Sequence, residues 1–347
     1  MSGIFVHGFG AVSPAGWGVA ALREALARGE PVAAKELTRP GWTRPLRVRA
    51  VPPPAARPAF SNHSRLRRAS PIAHYAVAAG LEALGEQAGQ VGAGTLRLGL
   101  VFCAMAGSVN YSRRFYDETL KDPATASPLV FPETVFNAPA SHLAALLGTT
   151  AINYTLVGDP GTYLQGLAVA GEWLLNERVD RCLVIGAEEL DWLISDALHL
   201  FDRNGVVSEG AGAVCLGREP GRDYNIQLCA VTEPHLFSNR QPRLQAALRA
   251  RAELGTNGAN CLLADGTQGV LRLDRDETMA WRDWPGPRVS PKAICGEAFM
   301  ASAAWQCVAA LDELARGACE AAYVSVVGCN EQAIAARFAA GQPPVSN

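Results

Sequence analysis

The chain has 347 residues, of which 49% are hydrophobic, and its formal net charge at pH 7 is −2. A chain of this length buries roughly three quarters of the surface that it exposes when unfolded, so it is long enough for two similar halves. The small charge gives no electrostatic reason to expect nucleic acid or an anionic membrane as a partner. Membrane insertion is not expected either, because no apolar stretch reaches the roughly 18 residues of a membrane-spanning helix.

The nine cysteines are scattered along the chain, and no pair has the spacing of a metal site. Most of them lie in apolar stretches such as GAVCLG, which is typical of reduced cysteines in a protein core. The first residues lack the basic and apolar segments of a secretory signal. We therefore predict a cytoplasmic protein without a metal ion or another cofactor.

Three apolar segments in the first part of the chain have the length and composition of strands. They are residues 4–9, 96–104 and 181–188, and each is followed by turn residues and a longer helical pattern. In the second part, strands are predicted at 225–233, 259–265 and 322–328, and helices at 243–254 and 300–317. This alternation indicates an α/β protein with a mainly parallel sheet that has helices on both faces.

A segment rich in proline and arginine, from Arg39 to Arg68, interrupts the regular pattern. It contains the run VPPPAARPAF, which is typical of neither a helix nor a central strand. Two interpretations remain open: an ordered surface excursion or partner-contact loop, or a flexible linker.

Residues 104–120 form a helical pattern that brings four side chains close to one stripe. These are Ser108, Tyr111, Ser112 and Phe115. The stripe either faces another subunit, or its aromatic residues belong to the ordinary core.

Residues 153–170, with the sequence NYTLVGDPGTYLQGLAVA, have the layout of a nucleophile elbow. A short apolar run leads into a tight glycine-rich turn and then into a helix of small residues. Such a turn presents a reactive side chain at the helix N-terminus, where the dipole and the free amides stabilise negative charge. The turn of this chain carries Asp159, Pro160 and Gly161, and none of them forms a thioester.

Four segments resemble, in the same order, the β-ketoacyl synthases of the thiolase superfamily. They are IFVHGFGAVSPAGWGVAALREAL at 4–26, NAPASHLAALLG at 137–148, FDRNGVVSEGAGAVCLGRE at 201–219 and SPKAICGEAFMASAAWQ at 290–306. The third is the most specific, since it is similar to the family's FDxxRxG and EGAG signature. The resemblance implies a thiolase-like α/β fold of duplicated αβαβα layers with mainly parallel five-stranded sheets. The two halves are then expected at 1–217 and, shortened, at 218–347.

The resemblance also implies structural positions for several residues of these motifs. They are His142, Phe201, Asp202, Glu209, Gly210 and Gly212. We expect His142 to pack near the elbow and Glu209 to hold a backbone turn through hydrogen bonds. In the segment SPKAICGEAF, we expect Lys292 and Glu297 to form a buried ion pair.

All three catalytic positions of the family are changed in this chain. An active synthase holds the acyl chain on a cysteine and uses two histidines to polarise the malonyl thioester. The alignment places Pro160 at the cysteine, Asp265 of LLADGTQG at the first histidine and Glu297 of CGEAF at the second. Ordinary carboxyl groups are anionic at neutral pH and repel a developing enolate, whereas the loss of one oxyanion donor already costs about a hundredfold in rate. We predict that the chain alone does not catalyse decarboxylative condensation.

The chain is shorter than the usual synthase, mostly in its second half. The family's closing loop, usually GFGGTN, corresponds here only to VVGCNEQ at 326–332. That loop normally lies over the active site, so its erosion agrees with a loss of chemistry.

The same loss of the nucleophile is known in the chain-length factors of bacterial type II polyketide systems, which pair with an active synthase. Their elbow, similar to VSEQAGGLDALA, aligns without a gap with VGDPGTYLQGLA at 157–168, although the glutamine is absent here. The resemblance implies a non-catalytic subunit of a heterodimer that builds a polyketide, polyene or fatty chain on acyl carrier protein. The stripe from Ser108 to Phe115 then approaches the dimer interface and the acyl tunnel.

Two other functions stay open. In one, the chain is an enzyme by itself, and Asp159, Asp265 or Glu297 is the base for hydrolysis or acyl transfer without a covalent intermediate. In the other, it is a homodimeric scaffold that binds lipid. A neighbouring gene for an intact synthase favours the accessory subunit, and thioesterase turnover abolished by Glu297→Gln favours the independent enzyme.

Overall fold

The computed structural model describes residues 3–223, 225–238, 242–255 and 260–341, so that residue 259 of one predicted strand lies outside it. The strands are β1 (Phe5–Ser13), β2 (Gly16–Trp17), β3 (Lys35–Leu37), β4 (Leu46–Arg49), β5 (Leu98–Ala104), β6 (Ile152–Val157), β7 (Arg181–Glu188), β8 (Val207–Ser208), β9 (Gly210–Gly217), β10 (Ile226–Val231), β11 (His235–Leu236), β12 (Cys261–Ala264), β13 (Arg288–Val289), β14 (Ala321–Val327) and β15 (Gln332–Ala340). The helices are α1 (Val19–Arg28), α2 (Pro71–Leu84), α3 (Gln87–Gly92), α4 (Val109–Lys121), α5 (Ala138–Leu147), α6 (Thr162–Leu175), α7 (Trp192–Leu198), α8 (Arg243–Leu254), α9 (Leu271–Ala280), α10 (Pro291–Cys295) and α11 (Phe299–Ala315). Short 3₁₀ helices cover Ala59–Asn62, Leu66–Arg68 and Phe131–Glu133.

Ten strands form two half-sheets that repeat the same order and the same directions. The first has the order β1-β9-β7-β5-β6, and the second has the order β10-β15-β14-β12-β13. In each, two antiparallel pairings are followed by two parallel ones, so that four of the five strands point the same way. The half-sheets join where Phe5 of β1 pairs with Gln227 of β10. The duplicated, mainly parallel arrangement predicted from the sequence is confirmed.

The helices add three layers to the half-sheets. The central layer consists of α6 and α11, which contact each other and strands of both half-sheets. On the outer faces, α2 and α5 pack on the first half-sheet, and α8, with α9 against it, packs on the second. A separate cluster of buried apolar residues fills each of these regions. The result is the layer order αβαβα.

Small residues allow α11 to lie in the middle of the molecule. Of its 17 residues, 15 are buried. A Cβ added to Gly212 of β9 would lie 2.6 Å from the Cβ of Ala304, and one added to Gly186 of β7 would lie 2.4 Å from the carbonyl oxygen of Met300. The glycines of these strands are therefore needed for the close approach of helix and sheet.

The segment 39–68 is an ordered excursion on the first half. Its strand β4 pairs with β3 on one side and with β8 on the other. Further along, the hydroxyl of Tyr111 donates a hydrogen bond to the carbonyl oxygen of Arg68. Of the two interpretations left open by the sequence, these contacts support the surface excursion.

Candidate functional site

The elbow is the turn between β6 and α6. The amide of Thr162 donates to the carbonyl oxygen of Asp159 over 2.8 Å, and the amide of Tyr163 donates to that of Pro160 over 3.2 Å. Because parallel strands have their carboxyl ends at one edge of a sheet, the loops after β5 and β7 lie beside this turn. The loop after β14 and the start of α11 reach the same place from the second half.

A small cavity of about 130 Å³ lies against the elbow. The elbow contributes Asp159 and Pro160 to its wall, the start of α11 contributes Phe299, and the loop after β14 contributes Cys329. The remaining lining residues are Met105, Ala106, Ile194, Ala197, Leu198, Phe201 and Asn330. The cavity is therefore mostly apolar, with one carboxyl group and one thiol.

The carboxyl group in this wall belongs to Asp159, which is buried. Its Oδ2 accepts a hydrogen bond from the amide of Gln332 over 3.1 Å. Burial raises the pKa of Asp159 to about 6, although the amides of Gln332 and Glu331 and the charge of Lys292 oppose this. A Cβ on Gly328 would lie 1.7 Å from the same Oδ2, so only glycine leaves room for the carboxyl group. Asp159 thus ties the elbow to the loop after β14.

Glu297 forms a buried ion pair with Lys292, with 2.8 Å between Oε2 and Nζ. Its Oε1 accepts a hydrogen bond from the amide of Phe299 over 2.8 Å. Phe299 has a φ of 46°, a left-handed conformation that a bulky residue rarely adopts. Burial by itself lowers the pKa of Lys292, but the charge of Glu297, the hydrogen bond to Glu297 and the nearby Cys329 and Glu277 together outweigh this effect, and the pKa is raised. Both oxygens of Glu297 are therefore occupied.

Asp265 is buried at the end of β12, with partners of its own. Its Oδ1 accepts hydrogen bonds from the hydroxyls of Thr267 (2.7 Å) and Ser290 (2.6 Å), and its Oδ2 lies 3.6 Å from the guanidinium of Arg288. Burial and, after it, the charge of Asp265 raise the pKa of Glu277 to about 7. The carboxylate of Asp265 is therefore hydrogen-bonded to Ser290, and that of Glu297 is paired with Lys292. Of the three carboxyl groups, that of Asp159 lines the cavity.

Two of the predicted motif residues, Glu209 and His142, have polar contacts with other parts of the chain. Glu209 accepts hydrogen bonds from the amides of Val51 and Leu190, each over 3.1 Å. His142 lies on α5, where its Nε2 is 2.8 Å from a carboxylate oxygen of Glu133. The structural roles of both residues, including the packing of His142 near the elbow, stay predictions.

The remaining motif residues are Phe201, Asp202, Gly210 and Gly212. Phe201 lines the cavity, and the carboxylate of Asp202 accepts the amide of Asn204 over 2.8 Å. Gly210 has a φ of 145°, and a Cβ there would lie 2.2 Å from the carbonyl oxygen of Val12. No residue but glycine fits this position without a shift of the backbone.

The predicted stripe on α4 packs against the chain's own segment before α5. The hydroxyl of Ser112 donates to the carbonyl oxygen of Thr134 over 3.3 Å, and the rings of Phe115 and Phe131 lie 5.4 Å apart. Ser108 is buried, whereas Tyr111 is half-buried. A position at a subunit interface or an acyl tunnel stays a prediction for these four residues.

Sequence reasoning missed Cys329 and Phe299 as residues of the cavity. The composition around the cysteines does not single out Cys329, and the signal that could have found it is its place in VVGCNEQ, which resembles a loop that covers the active site of the synthases. Burial raises the pKa of Cys329 to about 11, so the group is a neutral thiol. Within the described residues there is no cluster of three or more potential metal ligands, and no helix is long and apolar enough to cross a membrane.

No protein-family model matches the sequence, and no curated protein matches it. Solved structures, in contrast, match almost the entire chain. The ishigamide ketosynthase/chain length factor has a TM-score of 0.77 at 20% identity and covers 98% of this chain and 99% of its own. A type II polyketide synthase acyl-carrier protein in complex with its ketosynthase has a TM-score of 0.77 at 18% identity, and the match covers 97% of this chain and 99% of that chain.

A ketosynthase in complex with its chain length factor, from Xenorhabdus doucetiae, has a TM-score of 0.76 at 16% identity and covers 98% of both chains. Together with the repeated half-sheets, these likenesses establish the fold. The chain has the thiolase-like fold of the ketosynthases and their chain length factors.

Proposed function

We propose that this chain is a non-catalytic homologue of the β-ketoacyl synthases and acts as the chain-length-factor-like subunit of a heterodimeric ketosynthase. The heterodimer builds a polyketide, polyene or fatty chain on acyl carrier protein. The observation that carries the proposal is Pro160 at the elbow, in a fold whose solved examples include a ketosynthase with its chain length factor.

The chemistry of the elbow argues against condensation by this chain alone. Pro160 has no nucleophilic atom and no backbone N–H group, so the turn neither holds an acyl group nor donates a hydrogen bond from that position. Where the family has histidines, Asp265 and Glu297 hold carboxyl groups that are occupied by Ser290 and Lys292. A developing enolate finds no N–H donor on these two side chains.

The size of the cavity points to the same conclusion. A cavity of about 150 Å³ holds one benzene molecule, and the cavity at the elbow measures about 130 Å³. It has room for one small group and not for a chain that lengthens with each extension. The growing chain therefore needs a second subunit to hold it.

The outer edge of the first half-sheet is suited to such a subunit. In the described part of the chain, β6 pairs only with β5, which leaves its other edge open. On β6, Tyr154 and Val157 are 50% and 53% exposed. Helix α5 contacts β6, and the segment before this helix adds the exposed residues Leu129, Phe131, Val135 and Phe136. An open sheet edge with exposed apolar residues on it and in a segment leading to its neighbouring helix is typical of an interface.

The proposal is tested by co-expression of the chain with the intact synthase encoded in its own gene neighbourhood. We expect native mass to give a one-to-one complex, and an extension assay to give elongated acyl chains only when both subunits are present. Two results would contradict the proposal: a homodimer of this chain that does not bind the synthase, or equal elongation by the synthase with and without this chain.

The variant Val157→Asp locates the interface in the same experiment. A charge at the open edge of β6 should weaken the complex by at least about tenfold, because its desolvation is unfavourable. The matched control is Leu271→Asp, at the start of α9, where the leucine is 82% exposed. We expect the control to assemble like the unmodified chain, and equal effects of both changes would argue against this edge.

A further inference from the structure

We propose that the arginine-rich segment 39–68 is a docking surface for an acidic protein, centred on a groove around Trp42. The inference rests on the proposed function for the identity of that protein, which is then the acyl carrier protein. The segment contains eight arginines and no aspartate or glutamate. Because the whole chain has a net charge of −2, the remainder carries −10. The positive charge is thus concentrated in one short stretch, which is the pattern that attracts an acidic partner.

The groove lies between the segment and the loop after α7. It has a volume of about 760 Å³. Its basic side chains are those of Arg39, Arg44, Arg47 and Arg203, and Trp42, His199 and Leu200 also line it. Two acidic residues, Glu36 and Asp196, are part of the lining, so the arginines outnumber the carboxylates.

The arginines of the groove differ in their partners. Arg39 forms an ion pair with Asp196 and lies 3.6 Å above the centre of the Trp42 ring. The side chains of Arg44, Arg47 and Arg203 are exposed and have no hydrogen-bond or ion-pair partner within the described residues. Trp42 is itself 66% exposed. Three guanidinium groups and one indole are therefore available to a partner.

These groups suit a protein surface. A guanidinium group binds a carboxylate through two parallel hydrogen bonds, and tryptophan and arginine are enriched among the residues that dominate protein interfaces. A small acidic protein is able to contact the segment and the adjoining loop after α7 alone. A nucleic acid or a membrane extends beyond them and meets the negative charge of the remaining chain. The distribution of charge therefore favours an acidic protein over either.

The test compares two triple variants with the same change in net charge. The groove variant is Arg44→Glu/Arg47→Glu/Arg203→Glu, and the control is Arg249→Glu/Arg272→Glu/Arg282→Glu, whose arginines are exposed on the second half. Each is purified as the complex with the synthase, and binding of apo acyl carrier protein from the same gene neighbourhood is measured by fluorescence anisotropy at about 50 and 200 mM salt. We expect the groove variant to lose affinity by at least about tenfold at low salt and the control by less than about twofold.

Equal losses in both variants, or no loss in the groove variant, overturn the docking surface. Tighter binding of a short DNA duplex or of phosphatidylglycerol vesicles than of carrier protein also overturns it. The milder variant Arg44→Gln/Arg47→Gln/Arg203→Gln guards against misfolding, and we expect an intermediate loss from it. If the unmodified chain forms no complex with the synthase, the proposed function fails. The groove is then tested by the binding of poly-glutamate to the lone chain, so that the two failures are distinguished.

Discussion

Pro160 removes two things that an elbow ordinarily supplies, a nucleophile and a backbone N–H group. The turn itself is intact, since the amides of Thr162 and Tyr163 still close it. The sequence resemblance predicts that two further catalytic positions are changed, with the carboxyl groups of Asp265 and Glu297 in place of histidine rings. We propose that the three changes act together, because each one would remove a different part of the same reaction.

We expect the replacement of Pro160 by cysteine not to confer condensation activity on the chain. The new thiol lines the cavity at the start of α6, but Asp265 and Glu297 remain without donors for the enolate. At about 10² in rate for each missing donor, two of them lower the rate by roughly 10⁴. The measurement is malonyl decarboxylation and acyl extension by Pro160→Cys in a Cys329→Ser background.

Alkylation with iodoacetamide is the control for that experiment. It should label the new thiol and leave the Pro160→Ser/Cys329→Ser protein unlabelled at the elbow, which establishes that the site is accessible. Acyl extension by the Pro160→Cys/Cys329→Ser variant without a partner subunit would contradict the expectation that the chain alone does not condense.

Among the elements, the loop after β14 is coupled to the elbow through Asp159. The oxygen that accepts the amide of Gln332 is the one that a Cβ on Gly328 would approach to 1.7 Å. Asp159 is buried, and a shift of its carboxyl group away from the loop would break the hydrogen bond from the amide of Gln332. The packing of the elbow against the loop after β14 therefore depends on the carboxyl group of Asp159 and on glycine at position 328.

Gly328→Ala should lower the free energy of unfolding by about 2 kcal/mol, the usual cost of overpacking a tight site. Removal of the carboxyl group in Gly328→Ala/Asp159→Ala should restore most of that loss, because the added methyl group then occupies the vacated space. Urea unfolding of the two single variants and the double variant measures the coupling. Additive losses in the double variant would refute the direct contact.

For the whole molecule, buried carboxyl groups should make stability depend on pH. Burial raises the pKa of Asp159 to about 6, that of Glu277 to about 7 and that of Glu188 to about 8. For Glu188, the amides of Met105 and Ala106 oppose this effect. In the unfolded chain such groups lose their protons at about pH 4. Between about pH 4 and these raised values, the folded state binds more protons than the unfolded state.

The free energy of unfolding contributed by these groups should therefore be largest at low pH and fall as the pH rises through 6, 7 and 8. Each group adds a slope of up to about 1.4 kcal/mol per pH unit. Glu188→Gln should flatten the profile up to pH 8 when urea unfolding is measured across this range. The exposed Glu86 provides the control Glu86→Gln, and the same flattening in both variants would count against the buried group.

Much of this architecture follows from local pattern. Strand-like runs such as LRLGLVFCA and AYVSVVG alternate with helical segments. The spacing of apolar residues predicts both kinds of element, because it depends only on residues that are close together in the sequence. The absence of a nucleophile at Pro160 is likewise visible in one position of the chain. The division into halves at residue 217 stays a prediction.

The content of the cavity, in contrast, was decided by packing between distant parts of the chain. The sequence alone offers Asp265 and Glu297 as candidates for a base. In the fold, Asp265 accepts a hydrogen bond from Ser290, and Glu297 forms an ion pair with Lys292. Cys329 enters the cavity instead, because the loop after β14 packs against an elbow about half the chain away. No local pattern encodes such contacts, since they depend on how the two half-sheets and the central helices α6 and α11 fit together.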